Sequence, residues 1–123
     1  MIVRPTTTQL LRDVRNELAH SVAPEVHTAT ARVALEQIDI ILEQCAVRAG
    51  SEVAWMIEEI DEIEAYAADV AAATSDPATI AALEAGRAGR SGSLEIDDLV
   101  VAYNIMSEAL SCAIEACMSD RSQ

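Results

Sequence analysis

Residues 51–70 read SEVAWMIEEIDEIEAYAADV, and this stretch decides the fold. Its apolar side chains recur every three or four residues, which is the spacing of one face of an α-helix. These positions are Val53, Met56, Ile60, Ile63, Ala67 and Val70. Ser51 precedes them as a helix cap. The stretch therefore predicts an amphipathic helix. No stretch of the sequence shows the alternating period of a strand, so the predicted class is all-α.

Four further helices are predicted on either side of this one. A shorter N-terminal helix begins at Thr6–Thr8 and ends before Pro24, and a long helix runs from Glu25 to Ala49, with Gly50 as its stop. Asp76 and Pro77 open a short connecting helix that ends at Gly86, and a last long helix runs from Ser93 to about Met118. The predicted inner faces are Leu10, Leu11, Val14 and Leu18 in the first helix; Val26, Val33, Leu35, Ile38, Ile41, Leu42 and Cys45 in the second; and Leu99, Tyr103, Met106, Leu110, Ala113 and Cys117 in the last.

Helices with such stripes bury them by lying side by side. The predicted architecture is an antiparallel helical bundle of three long helices, with a shorter N-terminal helix and a short connecting helix. Residues 1–123 are expected to form one domain, because 51% of them are hydrophobic and supply enough apolar material for a single core. A mobile Gly/Arg/Ser loop is expected at residues 86–93, which hold three glycines and two serines.

Charge and composition narrow the function classes. The net charge is -13, and all eight basic residues are Arg, so a nucleic-acid partner is not expected. The N-terminus lacks the pattern of an export signal, which predicts a cytoplasmic protein. The longest uncharged run of the last third is far shorter than the roughly 18 residues of a membrane span, so no membrane association is expected.

The acidic run at residues 58–64 is the most conspicuous candidate site, because no basic residue lies between Arg48 and Arg87. It is interpreted as a solvated helix face, partly neutralised across the bundle by Arg12, Arg15, Arg32 or Arg48. The alternative is a Mg²⁺ site in which one acidic pair on each of two helices supplies oxygen ligands. Its four residues are Glu59, Glu62, Glu95 and Asp98, and the arrangement is similar to the all-helical nucleotide pyrophosphatases. The prediction is no catalytic residue, no metal and no cofactor, with Mg²⁺ as the alternative.

Five residues are candidates for an interface with another chain. Trp55 is either the main packing anchor or an interface residue. Ala67 and Ala71 lie on an alanine-rich face that lets a neighbouring helix approach closely, from the same chain or from a second copy. Arg87 and Arg90 on the glycine-rich loop are interpreted as keeping an exposed loop soluble, and the alternative is contact with an anion or an acidic partner. A weaker hypothesis places a small molecule in an apolar slot near Trp55, Tyr103 and Met106.

Three segments carry a family resemblance. They are Arg4–Leu11 followed by Val14 and Leu18, Ala31–Leu35, and Glu52–Trp55. Together they resemble a family of small helical bacterial proteins of uncharacterised function, encoded beside aminoglycoside-phosphotransferase-like kinases and acyl-CoA dehydrogenases. The resemblance covers about the first 65 residues and carries no catalytic residues. It implies an accessory role for a kinase-like or acyl-CoA-processing enzyme.

The sequence therefore predicts a non-enzymatic helical interaction or accessory protein that forms a homo-oligomer, with a dimer expected. Its further partner is a phosphotransferase-like or acyl-CoA-processing enzyme. The alternative is a Mg²⁺-dependent enzyme that resembles the all-helical nucleotide pyrophosphatases.

Overall fold

A computed structural model describes residues 4–122, and this part of the chain is helical without strands. Helix α1 spans Thr7–Glu17 and continues through a π-helical turn, Leu18–Val22, and a 3₁₀ turn, Ala23–Glu25. Helix α2 spans Ala29–Thr74, α3 spans Pro77–Ala88, and α4 spans Ile96–Asp120. The predicted all-α class is confirmed.

Helix α2 corrects the predicted division at Gly50. One helix of 46 residues replaces the two predicted helices. Gly50 sits inside it, and a Cβ there would lie 3.3 Å from the Thr8 hydroxyl oxygen. The Thr8 hydroxyl donates to the Ala46 carbonyl at 2.9 Å, so the missing side chain lets α1 approach α2. A glycine in a helix interior costs only about 1 kcal/mol relative to alanine, and packing on α1 overrides this cost.

The other boundaries are close to those predicted. Asp76 caps α3 by accepting from the Thr79 amide at 2.8 Å, and Pro77 occupies the first helical position. Helix α3 continues two residues past Gly86, so the loop predicted at residues 86–93 is wrong for residues 86–88, which are helical. Gly86 faces Met106 rather than forming a stop. Helix α2 begins at Ala29, after Pro24 has formed a separate 3₁₀ turn, and Thr28 accepts from the Ala31 amide at its start.

The chain divides into two compact units, residues 1–52 and 53–123, called unit 1 and unit 2 below. Helix α2 supplies a segment to each. Residues 1–3 and 123, which belong to the predicted single domain, lie outside the described residues. One domain for the whole chain stays a prediction.

Unit 2 has a core that follows the predicted stripes closely. From α2 it takes Ile60, Ile63, Ala67 and Val70, from α3 Leu83, and from α4 Leu99, Ala102, Met106, Ala109 and Ala113. Val53, Met56, Tyr103, Leu110 and Cys117 pack partly buried against it. The stripes predicted for residues 51–70 and for the last helix are confirmed.

Unit 1 differs, because its predicted inner faces are largely exposed. Among its described residues, one hydrophobic side chain is buried, that of Ala46. Val33, Ile38, Ile41 and Cys45 were predicted to face inward, yet all four are exposed. Helix α1 covers a different face of α2. A single neighbouring helix can cover only one side of α2, and α2 carries apolar residues nearly all round its axis.

Candidate functional site

Two arginines from unit 2 neutralise part of the acidic run. Arg87 Nε donates to Glu64 Oε1 at 2.7 Å. Arg90 contacts both Glu64, at 2.7 Å, and Asp61, at 2.6 Å. Hydrogen bonding from Arg87 is the main cause that holds the pKa of Glu64 below its ordinary value. The acidic face is thus partly neutralised, by residues close to the chain reversal between α3 and α4.

Three of the four arginines predicted for this role, Arg15, Arg32 and Arg48, have other partners. Arg15 pairs with Asp39 at 2.6 Å and also with Glu43, and Arg48 pairs with Glu52 at 2.6 Å. Arg32 donates to the Val26 carbonyl at 3.0 Å. Their partners belong to unit 1, as these arginines do. The predicted neutralisation by Arg15 and Arg48 is therefore wrong, since both are engaged locally.

Arg87 and Arg90, two of the interface candidates, hold the end of α3 against α2. Their guanidinium groups are engaged by Glu64 and Asp61 on the same chain. Exposed ion pairs contribute roughly 0–1 kcal/mol each, so a partner with strong acidic groups can compete for them. Their use by a second protein stays a prediction.

The proposed Mg²⁺ ligands do not form a cluster in the described residues. No group of three or more His, Cys, Asp or Glu side chains there could hold a metal ion. Glu59 accepts a hydrogen bond from the Tyr103 hydroxyl at 2.9 Å, which raises the pKa of Tyr103. Glu62 is exposed, Glu95 occupies the N-cap position of α4 without a side-chain hydrogen bond to the helix, and Asp98 lies in the first turn of α4. The choice between no cofactor and Mg²⁺ stays a prediction.

The alanine-rich face of α2 is covered by its own chain. Ala67 is fully buried in the core of unit 2, and Ala71 packs against that core. The sequence left two alternatives for the helix that packs on this face, one from the same chain and one from a second copy. In the structure, helices of the same chain pack on it. A second copy reaches Ala67 only if this core opens.

Trp55 is 49% exposed, so it is not the main packing anchor of unit 2. That role belongs to Ile60 and Met106, the largest fully buried apolar side chains of the described residues. Of the three residues of the proposed slot, Met106 is fully buried, Tyr103 is half-buried with its hydroxyl on Glu59, and Trp55 is exposed. A small molecule bound there stays a prediction. Trp55 thus remains available as a surface residue.

A surface that the sequence did not single out lies on unit 1. Eight large hydrophobic residues there are at least 38% exposed: Leu10, Val14, Val22, Val33, Ile38, Ile40, Ile41 and Val47. Such residues are normal when they are scattered singly, whereas contiguous apolar patches mark interaction sites. A signal was present in the sequence, because residues 25–49 carry more apolar positions than one neighbouring helix can cover.

Helix α4 is the one described helix that is long and apolar enough to span a membrane by length and composition. Its Leu99, Met106 and Ala113 form part of the core of unit 2. Buried helices of soluble proteins pass the same length and composition test, so this finding is weak evidence for a membrane location.

Comparison of the chain with protein-family models, with curated proteins and with solved structures gives no match. The candidate site is therefore argued from its own geometry.

Proposed function

We propose that this protein acts by binding other protein chains rather than by catalysis. The observation that carries the proposal is the surface of unit 1, where eight large hydrophobic side chains are exposed. Among the described residues of unit 1, one hydrophobic residue is buried, and it is Ala46. Burial of apolar area is the main favourable term in protein association, at about 25 cal/mol per Å². A two-helix unit gains this energy only when another surface covers it.

The partners proposed are a second copy and a phosphotransferase-like or acyl-CoA-processing enzyme, as the family resemblance implies. Unit 2 supports the second of these through its charge. Residues 53–123 hold fourteen acidic residues and three Arg, a net charge of -11. A field of this sign speeds the encounter with a basic surface, such as one that binds phosphates, without specifying the site of contact.

The proposal includes a cytoplasmic location, with neither membrane nor nucleic-acid binding. The same charge supports it, because anionic lipid headgroups and phosphate backbones repel an acidic surface. It also includes an antiparallel bundle as the arrangement of the three helical segments in unit 2, which their shared core supports.

Site-specific photo-crosslinking in the native cell tests this function. A photoreactive amino acid is placed at Ile41 in unit 1 or, as the matched control, at Val101 in unit 2, since both positions are 56% exposed. We expect one dominant adduct from position 41 and none above background from position 101. Mass spectrometry should identify the adduct as a second copy or as an enzyme of one of the two named classes. Equal labelling from both positions, or no adduct from position 41, would contradict the proposal.

The Mg²⁺-dependent alternative makes a separate prediction about stability. A ligand present at about 100 times its Kd, and bound only to the folded state, stabilises a protein by about 2.7 kcal/mol. We expect no change in the melting temperature on addition of millimolar Mg²⁺, since the described acidic residues form no metal-holding group. The control is Glu62→Gln, which should behave identically. A rise of several degrees that this substitution abolishes, together with Mg²⁺-dependent nucleotide hydrolysis, would establish the alternative.

A further inference from the structure

Both tyrosines of the chain lie where α2 and α4 of unit 2 pack against each other. Tyr103 on α4 donates a hydrogen bond from its hydroxyl to Glu59 Oε1 on α2, at 2.9 Å. Tyr66 on α2 has its hydroxyl oxygen 3.9 Å from Cys117 Sγ on α4. The two rings therefore mark one seam between these helices.

The single Trp of the chain and two carboxylates share this side of α2 with Tyr66. At 3.6 residues per turn, four positions fall within an arc of about 60° around the helix axis: Trp55, Glu59, Glu62 and Tyr66. All four residues are exposed, with Trp55 at 49% and Tyr66 at 42%. These four residues and Tyr103 are called the seam face below, and it holds every aromatic side chain of the chain.

Each carboxylate of the seam face has an aromatic ring as its neighbour on the helix surface. Glu59 follows Trp55 by four residues, and Tyr66 follows Glu62 by four. Residues at this spacing have Cβ atoms about 5–6 Å apart. A guanidinium group can therefore stack its plane on the ring while its N–H groups donate to the carboxylate. This pairing favours Arg over Lys, whose charge is compact and has no flat face.

The chain supplies arginines to the opposite side of α2 and not to the seam face. Glu64 lies on that opposite side, where Arg87 and Arg90 from the end of α3 pair with it. Within residues 4–122, neither Glu59 nor Glu62 takes part in an ion pair. Carboxylates three residues apart on a helix repel each other, so cations from another molecule would relieve this repulsion.

The α4 border of the seam face is apolar. Val100 and Ile114 lie within about 60° of Tyr103 around the axis of α4, and they are 41% and 44% exposed. Such side chains suit the methylene stem of Arg, which packs along apolar surface while its charged head stays in water. The face thus offers contacts to the stem, the plane and the charge of an Arg side chain.

We infer that the seam face is the docking surface for a segment of a partner protein that carries Arg side chains. This inference rests on the proposed function and names the chemistry that unit 2 recognises. The net charge of -11 in residues 53–123 attracts a basic segment to the unit. The alternation of rings and carboxylates then selects the Arg side chains of that segment.

Binding of a hexa-arginine peptide to the purified full chain tests the inference. Trp55 and Tyr66 lie about 16 Å apart along α2, and an extended peptide of this length spans roughly 20 Å. Isothermal titration calorimetry at about 0.15 M salt measures the Kd while distant charges are screened. Trp55 is the only Trp of the chain, so we expect its fluorescence emission to change when the peptide binds.

Two double variants of equal net charge separate the seam face from the general acidity of unit 2. Glu59→Gln with Glu62→Gln removes both carboxylates of the seam face, whereas Glu84→Gln with Glu108→Gln removes two exposed carboxylates elsewhere. We expect the first pair to raise the Kd about fivefold or more, since an exposed ion pair contributes up to about that factor. The second pair should change it by less than about twofold. Far-UV circular dichroism checks that each variant retains its helices.

A hexa-lysine peptide of the same charge isolates the contribution of the rings. We expect it to bind several-fold more weakly than hexa-arginine, because stacking on the rings favours the guanidinium plane. Trp55→Leu keeps an apolar side chain at this position and should remove most of the difference between the two peptides. Calorimetry measures the binding of this variant, which has no Trp fluorescence.

Three results would overturn the inference: no change in the emission of Trp55, equal Kd values for hexa-arginine and hexa-lysine, or an equal loss of affinity in the two double variants. None of these results affects the photo-crosslink from position 41, by which the proposed function is judged. A missing crosslink at position 41, with selective binding of hexa-arginine retained, would contradict the proposed function and leave the seam face as an arginine-binding surface.

Discussion

Ile60→Ala is expected to destabilise unit 2 by about 2–5 kcal/mol, the range for removing a large aliphatic side chain from a packed core. Ile60 is 1% exposed and is one of the largest fully buried side chains. It lies in the core that α2, α3 and α4 share. The truncation removes three buried carbon atoms and with them their favourable free energy of transfer out of water. It also leaves a cavity, which the surrounding helices can fill only partly.

The size of unit 2 makes this loss severe. Typical stabilities of 0.05–0.15 kcal/mol per residue give roughly 4–10 kcal/mol for a unit of this length. The substitution removes about half of that, and in domains of this size each kcal/mol lowers the melting temperature by roughly 4–8 °C. A drop on the order of 10 °C or more is expected.

Urea unfolding followed by fluorescence is the direct measurement, because Trp55 is the single Trp of the chain and lies five residues from the substitution. Ile114→Ala on α4 is the matched control, since Ile114 is 44% exposed. Surface substitutions usually change stability by no more than about 0.5 kcal/mol. Equal effects of the two variants would contradict the core assigned to unit 2.

The two units show why the sequence predicted one part of the fold well and another part poorly. In unit 2, the apolar stripe from Val53 to Val70 coincides with the buried face, because helices of the same chain cover it. In unit 1, the apolar residues exceed what α1 can cover, and the contact face also holds the Arg15 ion pairs. Hydrophobic periodicity marks apolar positions, and it does not report which of them a neighbouring helix reaches.

The prediction of candidate sites from the sequence was limited in the same way, because the sequence shows local patterns but not which distant residues come into contact. The acidic run at residues 58–64 is visible in the sequence, but its partners Arg87 and Arg90 lie more than twenty positions away. Pairing them requires knowing how α3 returns along α2. Gly50 likewise has the local signature of a helix stop, and only its closeness to Thr8 explains its place inside a helix.

Gly86→Ala is expected to destabilise unit 2 by about 1–3 kcal/mol, the usual cost of forcing an additional methyl group into a packed core. A Cβ at Gly86 would lie 2.7 Å from Met106 Sδ, 3.0 Å from its Cε and 3.3 Å from its Cα. Met106 is fully buried, so its sulfur and terminal methyl can give way to a new Cβ only by moving within the core. The Met106 Cα at 3.3 Å adds a tight backbone contact, which is relieved only if α3 and α4 shift by a few tenths of an ångström.

An opposing effect makes this substitution informative. Gly86 lies within α3, and replacing a helical glycine by alanine ordinarily stabilises a helix by about 1 kcal/mol. The sign of the measured change therefore decides whether helix propensity or the packing against Met106 dominates. We expect the packing to dominate, because the three short distances all involve one enclosed residue.

A double-mutant cycle isolates the interaction between these two residues. Met106→Ala alone should cost about 2–5 kcal/mol, because it empties a fully buried position. Adding Gly86→Ala to it should cost much less than in the unchanged protein, or even stabilise, because the sulfur and terminal methyl that obstruct the new Cβ are gone. The coupling is measured as the departure from additivity in urea unfolding, and residues that touch show couplings of about 0.5–3 kcal/mol. Additive effects would mean that Gly86 and Met106 do not touch, which would contradict the packing of α3 on α4.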